Sequence, residues 1–156
     1  MDIQVDTREK KRAIKRIIGT FDKLGIHYYS SKLYVGDYMS LDNPRCIVDR
    51  KQNLSELCQN VCQGKKRFKE ELRRANDAGI KMIILCEHGN GVCCMEDVKL
   101  WVNPRLEESP YAISGYRLYK MLSALEKQFG TKFMFCDKKD TGSKIIELLS
   151  GVEHVY

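Results

Sequence analysis

Two acidic residues in the first third of the chain have neighbours that could take part in chemistry with them. Asp49 follows the apolar run at 46–48 and precedes Arg50 and Lys51, and Asp37 comes shortly before that run. Residues i and i+2 of a strand share a face, so Asp49 and Lys51 are predicted on one face and Arg50 on the other. Two carboxylates offer hard oxygen ligands to a divalent cation, and a nearby lysine can orient water and offset phosphate charge. This arrangement predicts a metal-dependent phosphodiesterase.

A simpler explanation exists for the Asp-Arg-Lys triplet, since a charged strand end that merely meets water has the same composition. The apolar residues before Asp49 favour a site. Charges that end a buried strand lie at the rim of a sheet, where binding and catalytic residues concentrate.

In order along the chain, four segments resemble the XPF-type structure-specific endonucleases. Their signature reads Gly-Asp, a variable stretch, Glu-Arg-Lys, three residues and Asp. Val35-Gly36-Asp37-Tyr38 and Val48-Asp49-Arg50-Lys51 match it, Val5-Asp6-Thr7-Arg8-Glu9 is similar to the first-strand motif, and Arg67-Phe68 resembles a later Gly-Arg-Phe segment. The resemblance implies a restriction-endonuclease-like core in which acidic residues bind magnesium or manganese for DNA hydrolysis.

Three positions depart from that pattern. Asp49 stands where the family has glutamate, which keeps the charge and shortens the side chain by one methylene. The family's final aspartate falls on Ser55, with Glu56 next to it, and an expected glutamine falls on Glu71. These departures bear on metal affinity and rate more than on the fold.

The resemblance and the residue chemistry together assign candidate roles. The candidate catalytic residues are Asp37, Asp49, Lys51, Arg50 and Glu9. The candidate ligands of Mg²⁺ or Mn²⁺ are Asp37, Asp49 and Asp6. The candidate DNA contacts are the basic residues Lys65, Lys66, Arg67, Arg8 and Arg12, although a solvated helix face explains such residues equally well.

Length and composition suit one soluble nuclease domain over residues 1–156. The formal net charge of +6 favours anionic partners such as nucleic acid. No apolar run approaches the roughly 18 residues of a membrane span, and the N-terminus lacks a signal-peptide pattern. We therefore expect an intracellular protein, cytoplasmic or nucleoid-associated, in DNA repair or recombination. We expect no helix-hairpin-helix module.

Alternating apolar patterns predict an α/β fold, a three-layer α/β/α restriction-endonuclease-like core with a mixed central sheet. The predicted strands are 3–6, 27–34, 38–41, 45–49, 80–86 and 132–136, and the predicted helices are 8–24, a short helix after Asn53, 65–78, 109–128 and 141–150. The strand–helix–strand order from 80 to 136 predicts a parallel pair with a right-handed crossover.

Several features admit other interpretations. Tyr28, Tyr29, Tyr34 and Tyr38 suit either base stacking or, as we favour, core packing. Ser55 would allow a DNA-binding platform without catalysis. The group Cys86, His88, Cys93 and Cys94 would allow a zinc-stabilised interaction protein. Tyr111, Tyr116, Tyr119 and Met121 are candidates for a contact with a second copy or another protein.

Overall fold

Six strands form one mixed sheet in the computed structural model, which describes residues 1–151. They are β1 (Asp2–Val5), β2 (His27–Ser30), β3 (Tyr38–Ser40), β4 (Asn43–Lys51), β5 (Lys81–Cys86) and β6 (Lys132–Phe135). The spatial order is β2-β1-β3-β4-β5-β6; β3 is antiparallel to both neighbours, and the other pairs are parallel. The carboxyl ends of five strands and the start of β3 therefore share one edge of the sheet.

Helices cover both faces of the sheet, which confirms the three-layer α/β/α prediction. They are α1 (Lys15–Lys23), α2 (Leu54–Cys62), α3 (Lys65–Asp77), α4 (Met95–Val98), α5 (Gly115–Phe129) and α6 (Thr141–Leu149), with 3-10 turns at Pro104–Glu107 and Lys138–Asp140. One core lies between the sheet and α1 and α6, and the other lies between the sheet and α2 to α5. Among the described residues, no helix has both the length and the apolarity to cross a membrane.

Side chains alternate between the two faces of β4, and this alternation determines the direction of the charged side chains at its end. Ile47 belongs to the core beneath α2 and α3, whereas Val48 belongs to the core beneath α1 and α6. Asp49 and Lys51 continue the Ile47 face, and Arg50 continues the Val48 face. The predicted separation of Arg50 from Asp49 and Lys51 is confirmed.

Helix α2 starts immediately after β4 because two side chains accept hydrogen bonds from backbone N–H groups at its N-terminus. The Asn53 side chain accepts a hydrogen bond from the Glu56 N–H at 2.8 Å, and the Glu56 carboxylate accepts one from the Gln52 N–H at 2.6 Å. The cap predicted at Asn53 is therefore confirmed. It holds the start of α2 against the end of β4.

The predicted start of the first helix is wrong. Residue 8 was expected to begin it, but α1 begins at Lys15 after a turn in which Ala13 and Ile14 donate to the Lys10 carbonyl. The physical reason is tertiary. Arg8 and Glu9 turn back to pair with carboxylate and guanidinium groups at the sheet edge, and a helix from residue 8 would carry them away.

The predicted start of the long C-terminal helix is also wrong. Ser109 caps only a local turn, by accepting from the Tyr111 N–H, and α5 begins at Gly115 with Ser114 as its cap. Gly115 lies against the backbone carbonyls of Val98 and Trp101, where a β-carbon would overlap both. This close contact of Gly115 explains why α5 begins after Ser114 and not after Ser109.

Gly36 shapes the turn that leads into β3. Its φ is +70°, a left-handed conformation that favours glycine, and a β-carbon there would overlap the side chain of Ile47. The turn can therefore approach β4 closely, which places the next residue, Asp37, against the end of β4.

Candidate active site

A cleft of about 460 Å³ opens at the carboxyl edge of β4, between the segment after β1 and helices α2 and α3. Acidic residues in its lining are Glu9, Asp37, Asp49, Glu56 and Glu71. Basic residues in its lining are Arg8, Lys10, Arg50, Lys51 and Arg67. Ligand sites of open α/β sheets commonly lie outside the carboxyl ends of the strands, so the location suits a functional site.

Asp37 and Asp49 meet at the centre of this cleft. Tyr38 pairs with Val48 in the antiparallel ladder, so the residue before Tyr38 comes beside the residue after Val48. Asp37 Oδ2 accepts the backbone N–H of Arg50 at 2.8 Å. Burial, followed by the negative charges of Asp49 and Glu9, raises the pKa of Asp37 well above its usual range. Two carboxylates are thus held together against their mutual repulsion.

Lys51 pairs its positive charge with Asp49 on the same face of β4. Its Nζ lies 3.1 Å from Asp49 Oδ2 and 5.5 Å from the centre of the Phe68 ring. Burial lowers the pKa of Lys51, but the charge of Asp49 opposes this and the pKa is raised overall. Lys51 is therefore a cation at neutral pH, and its charge suits a proton donor or a fixed positive charge better than a base.

The carboxylate oxygens at the centre of the cleft suit a hard divalent cation as ligands. Asp49 is 5% exposed, and its Oδ2 has no aligned hydrogen-bond donor among the described residues, despite the nearby ammonium. Within residues 1–151, no group of three or more His, Cys, Asp or Glu side chains has the geometry to hold a metal. Mg²⁺ commonly uses one or two carboxylates and completes its shell with water and substrate phosphate. The pair fits that requirement.

Arg50 lies on the opposite face of β4 and is held between two carboxylates. Its Nε and Nη2 donate to the two oxygens of Glu9 at 2.8 and 2.9 Å, and its Nη1 donates to Glu87 Oε1 at 2.5 Å. All three side chains are 6–8% exposed. Glu9 and Arg50, both candidate catalytic residues, thus form a buried ion pair in the cleft wall.

Asp6 is not brought to the cleft. One carboxylate oxygen accepts the Leu33 N–H at 2.7 Å, and the other accepts both the backbone N–H and the Nε of Arg8. Although burial raises the pKa of Asp6, the hydrogen bonds from Arg8 and Leu33 lower it overall. Asp6 ties the segments after β1 and β2 together, and its predicted role as a metal ligand has no geometric support.

Glu71 is a cleft residue that sequence reasoning recorded only as a departure from a family pattern. Its Oε1 accepts the Gly36 N–H at 3.2 Å, which braces the turn before Asp37. Burial, and then the charge of Asp49, raises the pKa of Glu71. Glu71 follows Phe68 by three residues, so both lie on the same face of α3. This spacing is the sequence signal that could have placed Glu71 in the cleft.

The candidate DNA contacts divide into two groups. Arg8 and Arg67 line the cleft. Lys65 and Lys66 are exposed in the first turn of α3, and Arg12 is exposed in the turn before α1. None of these three lines the cleft, and Lys65 lines a separate groove between α3 and α5.

Core packing is confirmed for Tyr38 and in part for Tyr28, whose ring centre lies 6.0 Å from that of the buried Phe21, and is wrong for Tyr29 and Tyr34. Tyr38 is fully buried, whereas Tyr28, Tyr29 and Tyr34 are 37%, 42% and 63% exposed. They lie on or after the edge strand β2, where the sheet offers little cover.

The side chains of Cys86, His88 and Cys94 in the cysteine-rich loop have different partners. His88 Nδ1 accepts the Leu54 N–H at 3.1 Å and so caps α2, while Cys86 is buried in the core. Cys94 contacts the Asp97 carboxylate. The zinc interpretation therefore has no support within the described residues.

Comparisons with known proteins agree with this geometry. A model of the ERCC4 domain matches residues 5–149. The chain is similar to the solved structure of XPF from Aeropyrum pernix, with a TM-score of 0.69 and 24% identity over 96% of this chain and 63% of that chain. XPF from Aeropyrum pernix in complex with DNA gives a TM-score of 0.65 and 22% identity over 99% of this chain and 68% of that chain. A comparison with curated proteins finds no match.

The crowding of Asp37 predicts a stability change in the metal-free protein. Because its pKa is raised on folding, the folded state binds more protons from about pH 4 up to its folded pKa, and the free energy of unfolding falls as pH rises through that window. Asp37→Asn removes the carboxylate, and with it this pH-dependent loss of stability, and keeps an oxygen to accept the hydrogen bond from the Arg50 N–H. We expect a higher Tm than wild type at pH 7 and a smaller difference at pH 4.

Thermal melts with a chelator, across pH, make the measurement. Asp42→Asn is the control, since Asp42 is an exposed turn residue. A lower Tm for Asp37→Asn than for wild type at pH 7 would contradict the repulsion between the carboxylates.

Proposed function

The chain belongs to the ERCC4 domain family, and from that premise we propose that it is a DNA endonuclease that requires a divalent metal and acts on branched or flap DNA. The observation that carries this proposal is the pair Asp37 and Asp49, with Lys51 3.1 Å from Asp49, in a cleft open to solvent. We further propose that residues 1–156 form a single nuclease domain.

Asp37 and Asp49 would hold one or two ions of Mg²⁺ or Mn²⁺, which, when bound, lower the pKa of a water and offset charge on a phosphate. Asp37 is oriented for this by the Arg50 N–H, and Asp49 by its place on β4. Lys51, held as a cation, orients a water or stabilises charge that develops on the phosphate. Arg8 and Arg67, at the cleft wall, anchor neighbouring phosphates.

DNA as the substrate is supported by the fold likeness to an XPF solved in complex with DNA. The chain spans 63% of the first XPF structure it matches. The preference for branched or flap DNA, and a role in repair or recombination, are therefore proposals for this chain. A binding platform without catalysis is the alternative outcome of the first experiment below.

Replacing either central carboxylate should abolish cleavage. Asp37→Asn and Asp49→Asn should each cut DNA about 100-fold or more slowly, the scale on which losing electrostatic stabilisation of a transition state acts. Flap, fork, duplex and single-stranded DNA are incubated with Mg²⁺, Mn²⁺ or a chelator. The Asp42→Asn protein is the matched control and should cleave as wild type does. Wild-type protein that binds DNA and leaves it intact with both metals would favour the platform.

The exposed lysines of α3 should contribute to DNA affinity through counterion release. Replacing Lys65 and Lys66 with glutamine should flatten the log–log salt dependence of duplex binding by about two units, since each phosphate contact contributes about 0.9. Lys81→Gln with Lys132→Gln is the matched control, because both lysines are exposed and begin β5 and β6, at the edge of the sheet opposite the cleft. An equal slope for wild type and the α3 variant would mean that these lysines face only water.

Exposed apolar side chains between α4 and the first turn of α5 support the proposal of a homodimer or protein partner. Leu100, Val102 and Tyr111 are 83%, 76% and 92% exposed, and Tyr116 is 53% exposed. Tyr119 instead donates to Glu96, and Met121 packs on the core, so those two candidates are used within the chain.

Light scattering at micromolar concentration, with and without branched DNA, tests this assembly. Leu100→Ser with Val102→Ser should lower the average mass towards that of a monomer, because the contact loses its apolar centre. Leu24→Ser, at another exposed leucine, should not. A wild-type monomer that still cuts branched DNA selectively would contradict assembly as the source of specificity.

A further inference from the structure

A line of buried hydrogen bonds leads from α6 to the carboxylate pair. Thr141 Oγ1 donates to Glu87 Oε2 at 2.7 Å, and Glu87 Oε1 accepts Arg50 Nη1 at 2.5 Å. The Arg50 backbone N–H then donates to Asp37 Oδ2 at 2.8 Å. Thr141 is 0% exposed and Glu87 is 6% exposed, so water does not compete for these contacts.

Each member of this line comes from a different element at the same edge of the sheet. Thr141 is the first residue of α6, Glu87 directly follows β5, and Arg50 lies near the end of β4. Asp37 directly precedes β3. The line therefore crosses the sheet, from the helix layer opposite the cleft to the cleft itself.

The Arg50 side chain has little freedom to move. Glu9 takes its Nε and Nη2 together, in the two-point geometry that fixes the plane of a guanidinium, and Glu87 takes Nη1. Along β4, the peptide groups of Val48 and Arg50 face β3: the Val48 carbonyl accepts the Asp37 N–H at 2.9 Å, and the Arg50 N–H donates to Asp37 Oδ2. The N–H of Arg50 is therefore held in one direction, towards Asp37.

We propose that Glu87 and Thr141 are positioning residues that act through Arg50 to orient the Asp37 carboxylate for a divalent ion. The proposal rests on the function proposed above, because it takes Asp37 as a metal ligand. Groups that orient metal ligands commonly change metal affinity by about 10- to 100-fold when they are replaced. Neither residue lines the cleft, so neither touches substrate.

Two variants break the line at different points. Glu87→Gln keeps the shape of the side chain and removes the charge that pairs with Arg50. Thr141→Val keeps the shape and removes the hydroxyl that holds Glu87. The matched control is Thr131→Val, because Thr131 is also buried and its Oγ1 donates at 2.8 Å to a carbonyl, that of Met82, outside the cleft.

Two measurements separate positioning from mere stability. The first is amide hydrogen exchange of Arg50 in metal-free protein, which should be faster in both line variants than in wild type and in Thr131→Val, after correction for global stability. The second is the Mn²⁺ concentration that gives half of the full Mn²⁺-induced rise in Tm, without DNA. We expect it to increase about 10-fold or more in Glu87→Gln, by a smaller factor in Thr141→Val, and not in Thr131→Val.

Mn²⁺ affinity and Arg50 exchange that match wild type in both line variants would overturn the proposal. The same holds if Thr131→Val weakens Mn²⁺ binding as much as Thr141→Val does. If Glu87→Gln does not fold, the proposal is decided by the Arg50 exchange and Mn²⁺ affinity of Thr141→Val compared with those of Thr131→Val. Wild-type protein that binds no Mn²⁺ would instead contradict the proposed function, and Arg50 exchange would then decide whether the line orients Asp37.

Discussion

Arg50 is surrounded by carboxylates at the one edge of the sheet where five strands end. Taking three charged side chains out of water is unfavourable by several kcal/mol per ion, and only close pairing with good geometry offsets it. Glu9 comes from the segment after β1 and Glu87 from the end of β5, so the pairing joins both sides of β4. Removing one partner of such a buried pair costs about 3–5 kcal/mol, because the remaining charge has no compensation.

The two faces of β4 make different contacts at this edge of the sheet. Arg50 points towards α1 and α6 and joins the ion pairs, while Asp49 and Lys51 point into the cleft. The backbone of Arg50 connects the two faces, because its N–H holds Asp37 beside Asp49. The ion pairs of the Arg50 side chain thus restrain β4 on one face, while the Arg50 N–H holds the Asp37 carboxylate at the cleft.

The cleft itself opposes folding. Burial, and then the negative charge of Asp49, raises the pKa values of Asp37 and Glu71, and the positive charge of Lys51 offsets only part of the shift at Glu71. Such a concentration of like charge is a common cost of a binding site, and a bound cation would relieve it. The buried ion pairs behind the cleft and the apolar cores on both faces of the sheet hold these carboxylates in place.

Departures from the XPF-type pattern leave the cleft well supplied with carboxylates. Ser55 brings no charge, but Glu56 and Glu71 both line the cleft, from α2 and α3. Glu56 is engaged in capping α2, whereas Glu71 faces Asp49 and braces Gly36. The acidic character therefore comes partly from a helix position where the family has an uncharged amide.

The sequence by itself determined the features that depend on near neighbours. Strand alternation separated Arg50 from Asp49 and Lys51, the Asn53 cap began α2, and the apolar runs gave the parallel pair β5 and β6. Only the tertiary structure decided that Glu87 pairs with Arg50, that Asp6 is taken up by Leu33 and Arg8, and where α1 and α5 begin. These depend on partners far apart in the chain, for which a local pattern carries no signal.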